Sequence, residues 1–342
     1  MFNALKVIMQ PPSVLIGRFQ PFHEGHARLL AAGLKGGGEV LVVLGSHGRP
    51  RSPRNPFTSA EREAMIRSTL SPSEQGRVYV VPVEDHLYDE ERWRQVVMSV
   101  AKPIANGGPI RLIGLRKDNT SAYLDDFPGW PLLKVPGLAG ISGSDIRAAW
   151  LEGKQGWDRH LAPQVREWLL GFEATQAFAW LQEEHRALKA YRERWSRAPY
   201  VPVLVTVDVL AHHLDSVLLV RRGKAPGKGL MALPGGFLDP GERLVEAARR
   251  ELLEETGLQL GAGHSSFLEP TGVFDHPLRS ERGRMISHVY RADLSDEPLP
   301  RVIGGDDAAS AQWVPLEEAL NHPEWFFDDH HEILSLLMAT KA

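Results

Sequence analysis

The sequence contains no cysteine among its 342 residues, which excludes disulfide bonds, thiolate metal ligands and a cysteine nucleophile. It also lacks long hydrophobic runs. The longest, at residues 40–44 and 203–207, fall far short of the roughly 18 residues that a membrane helix needs. Residues 1–12 carry a single charged residue, Lys6, and no apolar stretch long enough for export. We therefore expect a cytoplasmic protein that neither crosses nor enters a membrane.

The chain also lacks a large excess of charge of either sign. The chain has 39 basic and 43 acidic residues, a formal net charge of -4 and no lysine or arginine block, so its composition gives no reason to expect binding to nucleic acid. Its 43% hydrophobic and 24% charged residues are typical of packed globular proteins, which excludes disordered and fibrous classes. At one domain per ~100 to 200 residues, the length predicts two domains.

The hydrophobic pattern predicts two α/β regions joined by helix. Short apolar runs alternate with amphipathic stretches from residue 13 to about 156, which indicates βαβ units and a parallel sheet. Residues 166–197 have apolar side chains at mixed three- and four-residue spacing, which predicts one long helix or two. After residue 202 the composition changes to β-branched strands. The predicted boundaries are 13–165 for the first domain, 166–198 for a helical joint and 199–342 for the second domain.

The first chemical motif is GRFQPFHEGH at residues 17–26, where a buried strand turns into a helix. Ligands of parallel sheets bind at the carboxyl ends of strands, and the first turn of a helix offers free N–H groups to phosphate. His23 and His26 are three residues apart, so both imidazoles can face the same phosphates. Gly17 and Gly25 allow a close approach of ligand and backbone. The alternative is that one histidine lies on the surface and the other caps the helix.

This decapeptide resembles the H-x-G-H signature of the nucleotidylyltransferase superfamily. The partner motif of that family resembles residues 141–147, ISGSDIR. Intervening segments resemble nicotinamide mononucleotide (NMN) adenylyltransferases of the archaeal type, which transfer AMP from ATP to NMN and release NAD and pyrophosphate. The resemblance implies catalytic roles for Arg18, His23, His26 and Arg147. It implies substrate contacts from Gly17, Phe19, Gln20, Gly25, Asn55, Asp85, Tyr88, Trp93, Lys117, Asp118, Ser142 and Ser144.

Several of these assignments have alternatives. Trp93 fits helix packing as well as ring stacking on the nicotinamide. Arg147 fits a surface arginine, and Lys117 with Asp118 fits a solvated turn. The family often has histidine just after the glycine of its central strand, whereas this chain has Leu115-Arg116, so a phosphate contact there is lost or passes to Arg116. Another phosphate acceptor for the first domain also stays open, although it leaves the nicotinamide-side residues unexplained.

The second motif is Gly236, then Glu242 after five residues, then RELLEETGL at residues 250–258. Glu251, Glu254 and Glu255 stand at i, i+3 and i+4, so their carboxylates share one helix face and repel each other. A divalent hard cation resolves this repulsion, and oxygen-only ligands favour Mg²⁺ or Mn²⁺. The alternative to a metal site is an acidic helix face that is simply exposed to solvent. The opposite face carries apolar residues four apart, which predicts that it packs on a core.

These positions fill every fixed place of the Nudix box, so this region is identified as a member of the Nudix hydrolase family. Membership implies a metal site at Gly236, Glu251, Glu254 and Glu255, with Arg250 and Glu242 orienting the carboxylates. Residues 273–288 resemble the substrate-side segment of ADP-ribose pyrophosphatases. In this segment Arg279, Arg282 and Arg284 offer donors to phosphate oxygens, although strand arginines that face solvent are the competing interpretation. We interpret residues 328–331, Asp-Asp-His-His, as structural.

The order of the two regions is similar to that of the bifunctional NMN adenylyltransferase and Nudix hydrolase family. This resemblance implies an α/β chain with an N-terminal Rossmann-like domain built on a parallel sheet and a C-terminal α/β/α Nudix domain with a mixed sheet. The implied small-molecule partners are ATP, NMN, NAD and ADP-ribose. A non-hydrolytic sensor of NAD metabolites is the rival interpretation of the Nudix domain, although an intact box favours hydrolysis and we expect no DNA-binding module in the 84 residues after Leu258. Whether the chain forms a homo-oligomer stays open.

Overall fold

A computed structural model describes residues 10–114, 124–135, 141–260, 268–296 and 298–339. Contacts within the chain divide it into two compact units, Met1–Gln182 and Glu183–Ala342. Within the described residues no helix is both long enough and apolar enough to span a bilayer.

The N-terminal unit is built on a parallel sheet of five described strands in the order β3-β2-β1-β4-β5. The strands are β1 (Ser13–Gly17), β2 (Val40–His47), β3 (Val78–Glu84), β4 (Arg111–Gly114) and β5 (Leu132–Lys134). Gly17 lies opposite Leu44, so β1 and β2 end at the same edge of the sheet. Because the strand order reverses beside β1, this edge is where a parallel sheet of this kind binds its ligand.

Helices cover both faces of this sheet. They are α1 (Glu24–Leu34), α2 (Ser59–Ser68), α3 (Pro72–Gln75), α4 (Glu90–Ala105), α5 (Gly143–Leu151) and α6 (Pro163–Phe172). Alternate residues of β1 enter two separate cores: Leu15 packs in one, and Val14 with Ile16 in the other. The solid apolar runs of these strands follow from burial on both faces. The predicted Rossmann-like domain with a parallel sheet is confirmed.

The helical joint consists of α6 and a second helix, α7 (Gln176–Glu193). Thr175 separates them, because its hydroxyl accepts the N–H of Phe178 at 3.2 Å and so caps the start of α7. The side chain of Gln182 donates to the carbonyl of Leu151 in the N-terminal unit. The side chain of Glu184 accepts the N–H of Gly227 in the C-terminal unit. The division between the two compact units falls after Gln182, within α7.

The C-terminal unit is built on a mixed sheet of seven described strands. They are β6 (Val203–His213), β7 (Ser216–Arg222), β8 (Met231–Ala232), β9 (Gly235–Phe237), β10 (Glu269–Phe274), β11 (Arg284–Asp293) and β12 (Ala308–Pro315). β11 and β6 pair in parallel, and the other pairs are antiparallel. The helices are α8 (Leu244–Thr256), α9 (Leu316–Asn321) and α10 (His330–Ala339).

Helix α8 carries the Nudix box on one face and core residues on the other. Ala248 and Leu252 are fully buried against β6 and β11, as their four-residue spacing predicts. The helix ends where Gly257 adopts a left-handed conformation with φ of +67° and donates its N–H to the carbonyl of Leu253. The predicted α/β Nudix domain with a mixed sheet is confirmed.

Candidate active sites

The histidine motif lies at the carboxyl edge of the parallel sheet. His23 is the N-cap of α1, and its N–H donates to His26 Nδ1 at 3.4 Å. The two imidazole rings stack with centroids 3.7 Å apart, so they share one face of the first turn as their spacing predicts. The start of a helix carries a partial positive charge, which makes this turn suited to phosphate.

The two glycines of the motif make room for aromatic rings. A Cβ atom at Gly25 would lie 3.0 Å from Cε1 of His23, and one at Gly17 would lie 3.0 Å from Cζ of Phe19. Phe19 is buried with φ of +51°, and its ring meets His26 edge to face at 4.8 Å. The two glycines therefore shape the site by letting the rings of His23 and Phe19 pack directly against the backbone.

The serine motif begins a second helix beside the histidines. Ser142 caps α5, and its hydroxyl accepts the N–H of Asp145 at 3.4 Å. A Cβ atom at Gly143 would lie 3.7 Å from Cδ2 of His23. The structure thus brings the two distant motifs together, with the N-terminal ends of α1 and α5 at one place. Their partial positive charges add at this point, which favours an anion.

Arg147 is buried under this junction. Its Nη1 donates to the carbonyl of Gln20 at 2.5 Å, its Nε to that of Pro53 at 3.0 Å, and its Nη2 to the hydroxyl of Ser144 at 3.1 Å. Its exposed fraction is 7%, so the interpretation of Arg147 as a surface arginine is wrong. The arginine ties the motif at residues 17–26 to the serine turn and adds positive charge beside both.

Two further side chains fix the backbone around the site. The amide of Gln20 bonds both the N–H and the carbonyl of Phe57, at 3.0 and 2.9 Å. Arg62, on α2, is almost fully buried and donates from Nη1 to the carbonyls of Arg18 and Gly45, at 2.8 and 2.6 Å. Burial lowers the pKa of Arg62 to about 10, a value that keeps it charged at neutral pH. Arg62 joins the ends of β1 and β2, a role that sequence reasoning missed.

The expected nicotinamide-side residues lie beyond β2 and β3. Asp85 Oδ1 accepts the N–H of Ser46 at 3.0 Å, and its other oxygen lies 3.6 Å from Nε of Arg49. Trp93 is half-buried on α4, with its ring 5.9 Å from that of Phe127. The remaining predicted residues of this unit differ in how exposed they are. Tyr88 and Asn55 are half-buried, Arg18 is exposed, and Leu115, Arg116, Lys117 and Asp118 lie outside the described residues.

In the C-terminal unit the Nudix carboxylates meet the backbone of β9. Glu251 and Glu255 are buried and Glu254 is exposed, all on one face of α8. A Cβ atom at Gly236 would lie 2.4 Å from Oε1 of Glu251, so only glycine admits a carboxylate this close. Glu255 Oε2 accepts the N–H of Gly235 at 2.9 Å. The glycine of the box is therefore required because any side chain at this position would collide with the carboxylate oxygens.

Arg250 neutralises this face. Its Nη1 donates to Glu251 at 2.8 Å and to Glu254 at 3.1 Å, and its Nη2 donates to Glu242 at 2.7 Å. A further bond from Nη2 reaches the carbonyl of Phe237 at 3.1 Å, which ties α8 to β9. Arg250 and Glu242 therefore orient the other carboxylates, as the box implies.

The buried carboxylates fit a divalent cation. Burial raises the pKa of Glu255 to about 8, and the charge of Glu251 adds to this. Burial also raises the pKa of Glu251, against the opposing effect of Arg250. In the described part of the chain no three carboxylate or imidazole groups converge at metal-ligand spacing. Arg250 and the N–H of Gly235 bind oxygens of the three carboxylates. The donor set is nonetheless all oxygen, partly buried and held beside the glycines of β9, which suits a hard cation.

The three arginines predicted for substrate binding have different surroundings. Arg279 forms a buried bidentate ion pair with Asp329, at 2.9 and 2.8 Å. Arg282 donates to Asp328 at 3.2 Å and lies 5.0 Å from the ring centroid of Phe327. Arg284 donates to the carbonyl of Asp275. We call the ring of Phe327 the aromatic wall of the Nudix site. Of the three arginines, Arg282 is the one that lies over this ring.

Arg222 is a neighbour of Arg282 that sequence reasoning missed. Its guanidinium lies 4.2 Å from the ring centroid of Phe327. Burial, and then the charge of Arg282, lower the pKa of Arg222, whereas the charges of Asp328 and Glu255 oppose this shift. Among the described residues, the only acceptor for its guanidinium is the carbonyl of Pro226, which takes Nε at 3.0 Å. Two guanidinium groups thus face one ring beside the Nudix carboxylates. The signal in the sequence was its position, the last residue of β7 before a loop rich in glycine.

Two family models match the chain, one for each unit. A cytidylyltransferase-like model matches residues 14–149, and a NUDIX domain model matches residues 201–337. Nicotinamide/nicotinic acid mononucleotide adenylyltransferase of Acinetobacter baylyi is 34% identical over 51% of this chain and 93% of its own length. ADP-ribose pyrophosphatase of Methanocaldococcus jannaschii is 38% identical over 46% of this chain and 82% of its own length.

A solved structure matches both units together. It is a bifunctional NMN adenylyltransferase/ADP ribose pyrophosphatase from Francisella tularensis, complexed with AMP and a manganese ion. It is 32% identical, covers 98% of this chain and 100% of its own, and superposes with a TM-score of 0.90. The chain belongs to the family of bifunctional proteins that join an NMN adenylyltransferase to a Nudix ADP-ribose pyrophosphatase.

Proposed function

We propose that the N-terminal unit transfers AMP from ATP to NMN and that the C-terminal unit hydrolyses ADP-ribose to AMP and ribose 5-phosphate with Mg²⁺. The observation that carries the first activity is the stacked pair His23 and His26 at the joined N-termini of α1 and α5. The observation that carries the second is the buried carboxylate pair Glu251 and Glu255 against the glycines of β9. The names of the related proteins support both assignments.

Adenylyl transfer needs positioning and charge neutralisation. A phosphate oxygen of NMN attacks the α-phosphorus of ATP in line, the bond from that phosphorus to the β-bridging oxygen breaks, and pyrophosphate leaves. His23 and His26 donate to the phosphate oxygens, and the positive end of α1 favours them, as negative charge shifts to the leaving group. Arg147 holds the two motifs together and contributes its charge. The reaction needs no covalent enzyme intermediate.

For the nicotinamide side we propose that Asp85, Tyr88 and Trp93 hold the base and that Asn55 contacts the nucleotide. Asp85 lies near the carboxyl end of β2, where its Oδ1 already bonds the N–H of Ser46. The ring of Trp93 packs on Phe127, which fixes its plane before any ligand arrives. A ring fixed in this way loses little freedom on stacking, so it favours binding.

Hydrolysis of the diphosphate uses the acidic face of α8. Glu251, Glu254 and Glu255 would hold the cation, with the carbonyl of Gly236 as a further oxygen. When bound, a divalent cation neutralises the diphosphate and activates a water for attack on phosphorus. Arg222 and Arg282 would donate to the diphosphate oxygens from the wall formed by Phe327. Arg279 supports them indirectly, because its pairing with Asp329 fixes the segments that precede Arg282 and follow Phe327.

The proposal is tested on the purified full-length chain with Mg²⁺. We expect pyrophosphate release from ATP only when NMN is also present, and AMP release from ADP-ribose without added NMN. Cleavage of NAD or another dinucleotide at a kcat/KM at least about tenfold above that of ADP-ribose would overturn the substrate choice. Binding of ADP-ribose without any hydrolysis would instead favour a sensor. Pyrophosphate release with another phosphate acceptor but not with NMN would overturn the first assignment.

A further inference from the structure

Glu184 is a buried acid in the helical joint that no activity has yet explained. It lies on α7 with an exposed fraction of 3%, and it belongs to the same compact unit as the Nudix box. Buried carboxylates are costly unless they are paired or hydrogen-bonded, so a glutamate kept in this place calls for a specific partner.

Its partner is the loop between β7 and β8. Glu184 Oε2 accepts the N–H of Gly227 at 2.6 Å. Burial raises the pKa of Glu184, whereas the backbone N–H groups of Gly227 and Lys228 and the positive charge of Arg222 act in the opposite direction. The carboxylate therefore holds the tip of this loop and lies within the electrostatic reach of Arg222.

Gly227 carries this constraint to the aromatic wall of the Nudix site. It has φ of +82°, and a Cβ atom there would lie 2.2 Å from the ring of Phe327, so the loop backbone lies directly against that ring. Arg222 anchors the same loop through the carbonyl of Pro226 and covers the same ring. Arg282 lies over Phe327 as well. The position of both guanidinium groups thus depends on where the loop sets Phe327.

We propose that Glu184 of the joint helix is a positioning residue for the Nudix site, which holds the β7–β8 loop so that Arg222 and Arg282 meet the diphosphate of the substrate. This inference rests on the proposed hydrolysis for its kinetic test. Glu184 touches neither substrate nor cation. Its effect passes through Gly227 and Phe327 to the two arginines, and the joint helix becomes part of the C-terminal catalytic unit.

The test compares three variants of the full-length chain. Glu184→Ala removes the acceptor, Glu184→Gln keeps an amide oxygen for Gly227 but removes the charge, and Glu183→Ala is the matched control at the exposed neighbouring position. We expect Glu184→Ala to raise KM for ADP-ribose about tenfold with kcat within about twofold, because two substrate donors move while the carboxylates stay. Glu184→Gln should recover part of the loss. Glu183→Ala should match the unaltered protein, and adenylyl transfer should be unchanged in all three.

Amide hydrogen exchange supplies a readout that does not depend on hydrolysis. We expect residues 223–230 to exchange faster in Glu184→Ala than in Glu183→Ala, with the α8 segment unchanged. Equal KM values and equal exchange in these two variants would overturn the inference. If the unaltered protein cleaves no ADP-ribose, the proposed hydrolysis fails, and the exchange comparison still decides whether Glu184 holds the loop. If Glu184→Ala does not fold, Glu184→Gln decides by the same two measurements.

Discussion

In the N-terminal unit the polar side chains around the site bond mainly to backbone atoms, whereas around α8 they bond mainly to each other. Gln20, Arg62 and Arg147 take carbonyls and N–H groups of the loops at the carboxyl edge of the sheet. Arg250 and Glu242 instead hold carboxylates in an ion network. Backbone-directed bonds fix the shape of a phosphate site in advance. A network of side chains can exchange partners when a cation arrives, and this difference decides how each site responds to substitution.

The largest expected effect comes from the C-terminal network. Glu255→Gln keeps the size of the side chain but removes the carboxylate that would bind the cation, so we expect kcat for ADP-ribose hydrolysis to fall about a thousandfold. Adenylyl transfer by the same sample should not change. Arg249→Gln, at an exposed position of the same helix, serves as the control. Hydrolysis near the original rate in Glu255→Gln would remove this carboxylate from the metal site.

A smaller effect is expected at the histidine pair. His26→Ala removes one phosphate donor and the bond from the N–H of His23, and we expect kcat for adenylyl transfer to fall about a hundredfold. Hydrolysis of ADP-ribose should stay the same. Arg28→Ala, on the exposed side of α1, controls for changes in the helix. If His26→Ala turns over like the control, the imidazole takes no part in the chemistry.

Arg62 tests whether backbone-directed bonds matter for function. Arg62→Lys retains the charge but cannot reach the carbonyls of Arg18, Gly45 and Thr58 together, which leaves buried acceptors unsatisfied at a cost of about 1–3 kcal/mol. We expect a lower melting temperature and a KM for ATP raised about tenfold. Arg67→Lys on the same helix, where the arginine is partly exposed and paired with Glu63, should be close to neutral. Equal behaviour of the two variants would contradict this role.

The smallest expected effect concerns the division between the units. We propose that each unit keeps its own activity as a fragment. A C-terminal fragment that begins at residue 183 should be more stable by about 1–2 kcal/mol than one that begins at residue 199, because it keeps the bonds of Glu184 to Gly227 and of Arg192 to Glu281. Urea unfolding measures the difference. Equal midpoints would place the boundary at residue 199.

Much of this architecture could be predicted from the sequence because it depends on local periodicity. The alternation of apolar runs and amphipathic stretches expected from residue 13 onward appears as β1, β2 and β3 with helices between them. The spacing of Glu251, Glu254 and Glu255 fixed their common face, since a helix determines it without any other part of the fold. The stacking of His23 on His26 followed in the same way.

The residues that could not be predicted act across long distances in the chain. Gln20 bonds Phe57, and Glu184 bonds Gly227. Arg62 bonds the carbonyl of Arg18. Each of these contacts depends on how loops from different strands meet, which no period of two or 3.6 residues describes. The ion pair of Arg279 with Asp329 is another such contact, because the two residues lie 50 positions apart in the chain.

The ion network of Arg250 has a consequence for the C-terminal unit when no divalent cation is bound. Arg250 donates hydrogen bonds to Glu242, Glu251 and Glu254, and these bonds, that to Glu242 first, raise its pKa, so this side chain keeps its positive charge under every physiological condition. It acts as a resident counter-ion for the acidic face of α8. We therefore expect the C-terminal unit to keep its fold when divalent cations are removed, and adding the ion back to restore hydrolysis without refolding.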